Sequence, residues 1–563
     1  VIDADPALLE ANLSAIRGRN PRLARRLAAS ESDQSVRAER ARDGSVVPFV
    51  ASGRKSIFLH SRFDPAKEAE RLASGSPEDG YYLCPGLGGA FHVRALLKRR
   101  GTSGVLVIEP SPSFLRATLE RVDMRDVLSS DLVEILSGAD AEECAEILSG
   151  AYLPALSGGL RSLPLRARAD LDPALFREAM DSVQAAIARV SSDFTAQAVF
   201  GKRWFSNAVR NLVRASHPLA ELPRADTVLV AAAGPSLERQ VSAIAAARAE
   251  GGFLVSTDTA LPFLLASSLK PDAVLSIDCQ HISYRHFVPG YPAGTPLLVE
   301  ISSPSALTRI SSEMIFYTTA NPLGRLLSGR LRELPSLDAS GGNVTHAALS
   351  LADRMGAREV RLFGADYSYP SGKSYARGTH LYAEFSREAS RLAPLESRMA
   401  DILYRSPSLA RARTESGFIY RNPVLDSYKT AAEAFSSRMG PILRPEPGEG
   451  QAIRVAERAE GSEGRVPASG GFSAGEPRKG ALEALADLRS DIEALAVPED
   501  PLAPSIRRLP RQQAELWLAL LPVAAAVTRD SGATRPREAL ALARRWAIDS
   551  LASYLQARPA AKP

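Results

Sequence analysis

Two aspartates, Asp258 and Asp278, stand 20 residues apart, each just after a short apolar run, Phe253 to Ser256 and Ala273 to Ile277. An earlier run, Val228 to Ala233, stops at Gly234-Pro235-Ser236, and a helical pattern begins at once. A glycine turn between a buried strand and a helix offers backbone N–H groups, and here a serine hydroxyl, to a phosphate. The same residues also fit an ordinary N-cap by Ser236 after a proline turn. Strand-end aspartates can hold ribose or base groups, or a Mg²⁺ beside phosphates. Otherwise they are solvated turn residues, which is what Asp272 after Pro271 fits best. The turn lacks the Lys-Ser/Thr pair of a P-loop NTPase.

Further along, Ser340-Gly341-Gly342-Asn343 opens another helical pattern. It makes either a second anion pocket or a flexible turn capped by Asn or Thr. A later strand ends at Gly364-Ala365-Asp366, and the polar loop beyond supplies Tyr367, Tyr369, Lys373, Tyr375, Arg377 and His380. Histidine titrates near neutrality and suits general-base work. Asp366, Tyr375 and His380 are therefore the candidate catalytic groups. His346 has helical spacing that suits packing, and the spacing of His60, His281 and His286 assigns them no role.

The elements that must position these residues alternate strand, loop and helix. That order predicts an α/β fold with doubly wound sheets, whose ligands bind outside the carboxyl ends of the strands. Two such Rossmann-like domains and a C-terminal helical module are expected. The first spans 1–170, with helices over 5–30, two strand-like pieces and a glycine turn Gly86-Leu87-Gly88-Gly89 followed by the strand-end acid Glu109. This arrangement looks like the nucleotide-binding half of a methyltransferase-type Rossmann domain; the alternative is glycines that only permit close helix–strand packing. A helical bridge covers 171–217 and the second α/β domain 218–435. A Gly/Pro/Ser/Glu-rich stretch over 436–480 has linker composition, and helical periodicity resumes over 481–563.

Composition bounds the function. The 69 Lys+Arg and 64 Asp+Glu are interspersed and leave a net charge of +5, which does not make the basic face of a nucleic-acid binder. Three scattered cysteines form neither a disulfide framework nor a zinc site, and point to a reducing, cytoplasmic setting. The acidic start of the sequence does not read as a secretory signal. The apolar patch Leu516 to Val527 is shorter than the ~20 residues of a membrane span.

Taken together, VLVAAAGPSLERQ, STDTALPFLLASSLKPDAVLSIDCQ and SGGNVTHAALSLADRMGAREVRLFGADYSYPSGKSYARGTH resemble the motility-associated-factor (Maf) proteins. These are bacterial glycosyltransferases that place nonulosonic acids, such as pseudaminic or legionaminic acid, on serines and threonines of flagellin. The resemblance covers about residues 5 to 435 and includes LHSRFDP, LCPGLGGAFHVRALL and VLVIEPSP upstream. The central domain is also similar to bacterial sialyltransferases, through the Gly-Pro-Ser-Leu loop and the segment Ser340 to Tyr367. The resemblance implies a CMP-activated donor held by Gly234, Pro235 and Ser236 and by Ser340, Gly341, Gly342 and Asn343, with Asp258 and Asp278 alongside. It implies an inverting displacement without a required metal, flagellin as partner, and no part for nucleic acid or membrane. Two positions depart from the pattern: Ala233 stands where sialyltransferases often have asparagine, and Tyr375 where many Maf-like sequences have histidine.

Archaeal 6-hydroxymethylpterin pyrophosphokinases share this central domain, and thiamine pyrophosphokinases have a related Asp and Asp-x-Asp pattern. That alternative implies a Mg–ATP phosphotransferase, but Ser276 replaces the first acid of the Asp-x-Asp. A catalytically silent protein that binds nucleotide or flagellin is the third reading.

Overall fold

The computed structural model describes residues 1–53, 55–319, 321–406, 408–414, 417–455, 471–499, 502–532 and 535–557. The chain divides into two compact units: residues 1–201 with 495–545, and residues 202–494 with 546–563.

In the first unit, Asp5 and Asn20 cap the helices Pro6–Arg17 and Pro21–Ala29, each followed by a proline at the first turn. The Asn20-Pro21 break in the apolar stripe is thus one helix ending and the next starting. Strands β1 (Val36–Arg40), β2 (Val46–Ser52) and β3 (Lys55–Phe58) form an antiparallel meander, one strand more than the sequence led us to expect. Strands β4 (Gly80–Pro85), β5 (Thr102–Ile108), β6 (Val133–Leu136) and β7 (Leu160–Ser162) form a parallel sheet in the order β6-β5-β4-β7. Every residue of β4 and β5 is buried, as expected where helices cover both faces of a parallel sheet.

The second unit is built on seven parallel strands: β8 (Thr227–Ala231), β9 (Phe253–Thr257), β10 (Ala273–Ser276), β11 (Leu297–Glu300), β12 (Met314–Tyr317), β13 (Glu359–Phe363) and, after the short strands described next, β17 (Ile442–Pro445). Strands β14 (Tyr369–Pro370), β15 (Ala410–Thr414) and β16 (Gly417–Arg421) make a small antiparallel sheet. The large sheet runs β12-β11-β10-β9-β8-β13-β17. Chain order reverses beside β8, so the switch point lies between the loops that leave β8 and β13. Alternation along β8 sends Val228 and Val230 into one apolar cluster with Ala347 and Leu351 of the helix Val344–Arg354. Leu229 and Ala231 go into another, with Ile244 and Leu264.

The stretch read as a linker is in part sheet. β17 pairs in parallel with β13 from Glu359↔Ile442 to Leu362↔Pro445, and Phe472 bonds Leu222 through both backbone groups. An edge strand needs only one partner and tolerates Pro445, so low apolar content did not preclude it. Residues 456–470 of the expected linker lie outside the described residues. The C-terminal helices are Ala481–Ala494, Ala503–Arg508, Arg511–Ser531 and Pro536–Gln556. They bury their apolar faces within the units rather than standing apart: Trp517 and Ala524 are fully enclosed, and Asp491 accepts from Arg330 at 2.6 Å. Among the described residues no helix is long and apolar enough to cross a membrane.

Candidate functional site

The carboxyl ends of β9 and β10 hold a polar cluster in the second unit. Asp258, almost fully buried, follows β9. Its Oδ1 accepts from the Thr259 N–H at 2.7 Å and the Thr259 hydroxyl at 3.1 Å. Its Oδ2 accepts from the Ser276 hydroxyl at 2.7 Å. Ser276, the residue that replaces the first acid of an Asp-x-Asp, is therefore the partner of Asp258. The Ser276 carbonyl accepts from Tyr317 Oη at 2.9 Å, which closes the floor of the rim. Asp278 turns the chain by accepting from the Gln280 N–H at 2.8 Å. Burial, and to a smaller degree the charge of Asp258, raises its carboxyl above the ordinary range.

Two histidines meet on this rim. The rings of His286 and His380 pack edge to face with centroids 4.3 Å apart, and His286 Nε2 lies 3.4 Å from the Thr259 hydroxyl. The buried Nδ1 atoms of both rings have no hydrogen-bond partner among the described residues. Burial first, then the charge of His286, lowers His380 to about 4, so its imidazole is neutral at neutral pH. Tyr375 is half-buried near Asp258, Tyr369 and Tyr428, and burial raises its phenol. Tyr428 in turn covers the Ser340–Asn343 turn: a Cβ on Gly342, whose φ is +71°, would lie 3.1 Å from its ring. That turn starts the helix Val344–Arg354, which runs back under a parallel sheet and so begins at the strands' carboxyl edge. Asn343 caps it by accepting from the His346 N–H at 3.0 Å. His346 packs against Phe435 with centroids 4.8 Å apart, the packing role its spacing predicted.

The structure corrects the reading of Gly234-Pro235-Ser236 as an open phosphate cradle. The Gly234 N–H donates to the Gly364 carbonyl at 2.8 Å, Leu237 N–H to Gly234 carbonyl at 3.0 Å, and Ser236 N–H to Asp366 Oδ2 at 2.9 Å. Pro235 has no donor, and the residues Pro235–Arg239 form a 3-10 turn, not the start of an α-helix. The Ser236 hydroxyl donates to Asp366 Oδ1 and accepts from the Glu449 N–H at 2.7 Å. Asp366 is thus the clasp between the two switch-point loops. Both of its carboxylate oxygens accept from Ser236 and it is almost fully buried, so Asp366, expected as a catalytic group, sits in the clasp and not in the polar cluster around Asp258. Residues 447–450 lie over the clasp, where Gln451 N–H reaches the Asp366 carbonyl at 2.9 Å.

The glycine turn of the first unit is filled by the protein itself. Glu109, the expected ribose acid, is fully buried and receives two bonds from Arg168, at 2.7 and 3.1 Å. The guanidinium lies 3.7 Å from the centroid of Phe114. A Cβ on Gly88 would sit 2.5 Å from Leu165 and 2.6 Å from His60. These glycines permit close packing.

Sequence reasoning did not find His286, Glu300 or Arg168. Glu300 had a visible signal, being a third acid at a strand end. Burial raises it to about 7 while it accepts from the Ser302 N–H and Asn321. His286 and Arg168 had none, because their partners are distant in sequence.

The fold defines a doubly wound α/β protein whose second unit carries a polar rim at the carboxyl edge of its sheet. Residues 202–372 match the family model described as 6-hydroxymethylpterin diphosphokinase MptE-like. The fold is that of a MAf glycosyltransferase from Magnetospirillum magneticum AMB-1, with a TM-score of 0.59 over 98% of this chain and 95% of that one, at 16% identity. The Maf likeness in fold thus extends beyond the motifs into the C-terminal helices. Two uncharacterized proteins of Treponema pallidum (strain Nichols) are also similar. One is 36% identical over 118 residues, 21% of this chain and 41% of the relative. The other is 28% identical over 172 residues, 30% of this chain and 81% of the relative. The match spans less than half the length of the first.

Proposed function

We propose that this protein is a cytoplasmic glycosyltransferase. In this reading it moves a nonulosonic acid from a CMP-activated donor to serine or threonine hydroxyls of flagellin. The observation that carries it is the cluster around Asp258, read beside the likeness in fold to a MAf glycosyltransferase. Both oxygens of Asp258 accept from protein donors, which suits a carboxylate that orients groups around it.

In this reading the nucleotide lies between the Asp258–Asp278 rim and the start of the helix Val344–Arg354. The Ser340–Asn343 turn and the helix dipole face the departing phosphate, with Tyr375 alongside. Asp258 and Asp278 hold ribose or sugar hydroxyls, and the Gly234 loop serves as a wall. His380, paired with His286, is the base that takes the acceptor hydroxyl proton as the CMP phosphate leaves. Its low proton affinity rises when an anionic donor arrives beside it, so the histidine pair becomes a competent base only in the loaded site.

The family match of residues 202–372 favours a second reading, a Mg–ATP diphosphokinase. Thermal-shift titration with CMP and with ATP, each with and without Mg²⁺, separates the two by mass action. CMP stabilisation independent of Mg²⁺ is expected. ATP stabilisation that requires Mg²⁺ would replace the first reading by the second. Asp258→Asn is expected to lower transfer by ~100-fold or more while CMP binding weakens less, as for a group acting mainly in the transition state.

A further inference from the structure

Beyond the Asp258–Asp278 rim, at the carboxyl ends of β10 and β11, the second unit contains a cavity of 590 Å³. One wall is a helix face bearing Arg203, Asn207 and Arg210, whose spacing of four and three residues aligns them. The others are the turn after β10, with Gln280, and the segment after β11, with Ser305 and Arg309. Asn207 is buried and its amide donates to the Cys279 carbonyl at 3.1 Å and the Ser302 carbonyl at 2.9 Å. Asn211, one turn on, donates to the Ile301 and Ser303 carbonyls at 2.8 and 2.7 Å. The helix is therefore locked to both loops by buried bonds, and the arginines project from a fixed frame.

Three arginines line the cavity and no aspartate or glutamate does. Among the described residues the Arg210 and Arg309 side chains make no ion pair or hydrogen bond. Elsewhere in this unit, Arg248 pairs with Asp272 and Arg285 with Glu384. Guanidinium groups lining one cavity attract an anion, and their planar forks match carboxylate and phosphate oxygens. The volume falls in the usual range for small-molecule sites.

We propose that this cavity is an anion-binding subsite that takes the phosphate or carboxylate group of a small molecule through Arg203, Arg210 and Arg309. Gln280 and Ser305 supply neutral donors. The Gln280 N–H bonded to Asp278 joins the subsite to the rim, so one ligand can engage both. The proposal rests on charge and shape, and stands whether or not the rim transfers a sugar.

Isothermal titration of the full chain at low ionic strength tests it, with inorganic pyrophosphate and free N-acetylneuraminic acid as probes. At least one probe is expected to bind, and Arg210→Ala/Arg309→Ala to weaken it ~10-fold or more. Lys270→Ala, which removes a positive charge before β10 at the opposite sheet edge, is expected to leave binding unchanged. Both arginines are exposed, and an unchanged melting temperature checks that the double variant folds. A response to pyrophosphate assigns phosphate as the ligand group, and a response to the sugar acid assigns carboxylate. The proposal is overturned if neither probe binds, or if the folded double variant binds as tightly as the parent.

Discussion

Replacing Arg168 with methionine tests whether the N-terminal glycine turn is packing or a ligand site. The substitution removes both bonds to Glu109 and leaves that carboxylate fully enclosed with no cation beside it. Losing one member of a buried pair costs about 3–5 kcal/mol, and losing the guanidinium above Phe114 adds about 1 kcal/mol. For a unit of this size each kcal/mol moves Tm by about 2–4 °C. The first unit is therefore expected to melt ~8–24 °C earlier. Glu109→Gln/Arg168→Met removes the stranded charge, and is expected to recover more than half of the loss. Hydrogen exchange at β4 and β5 would report this unit separately from the other. A loss of less than ~1 kcal/mol for Arg168→Met, or no recovery in the double variant, would refute the structural assignment. Nucleotide bound in the first unit only after Arg168 is removed would show that the plug masks a working site.

Other outcomes follow from the same geometry. Ser236→Ala takes one donor from buried Asp366 and the acceptor from the Glu449 N–H. It is expected to cost about 1–3 kcal/mol in urea unfolding and to leave CMP binding unchanged; a loss of binding without loss of stability would restore the phosphate-cradle role. Glu300, raised to about 7 by burial, keeps its proton in the fold between pH 4.5 and 7 where the unfolded chain has released it. Stability is therefore expected to fall as pH rises through that window, by up to about 3 kcal/mol, and Glu300→Gln to flatten the slope. A parent stability that does not fall over that range would contradict the assignment. Gly342→Ala forces a side chain into left-handed backbone against Tyr428. It is expected to weaken CMP binding, read by titration, more than it lowers Tm.

Much of the scaffold was legible because its causes are local. Apolar runs ending in Asp258 and Asp278 marked strands and their ligand edge. The Ser340–Asn343 turn marked the start of a helix. Period and capping act over a few residues, and a sequence displays them directly. The partners of polar groups are set by the tertiary fold. Asp366 lies 130 residues from Ser236, and Glu449 lies 213 away, so only the folded chain shows that donors of the glycine loop are spent on the Gly364–Asp366 loop. Arg168 reaches Glu109 from 59 residues away, and His286 reaches His380 from another loop. β17 was hidden in linker-like sequence because an edge strand takes its order from the neighbour it pairs with. The sequence by itself determined where the strands end and which acids stand there. The tertiary structure decided which of those groups remain open to a ligand, because that depends on which donors and acceptors the fold has already satisfied.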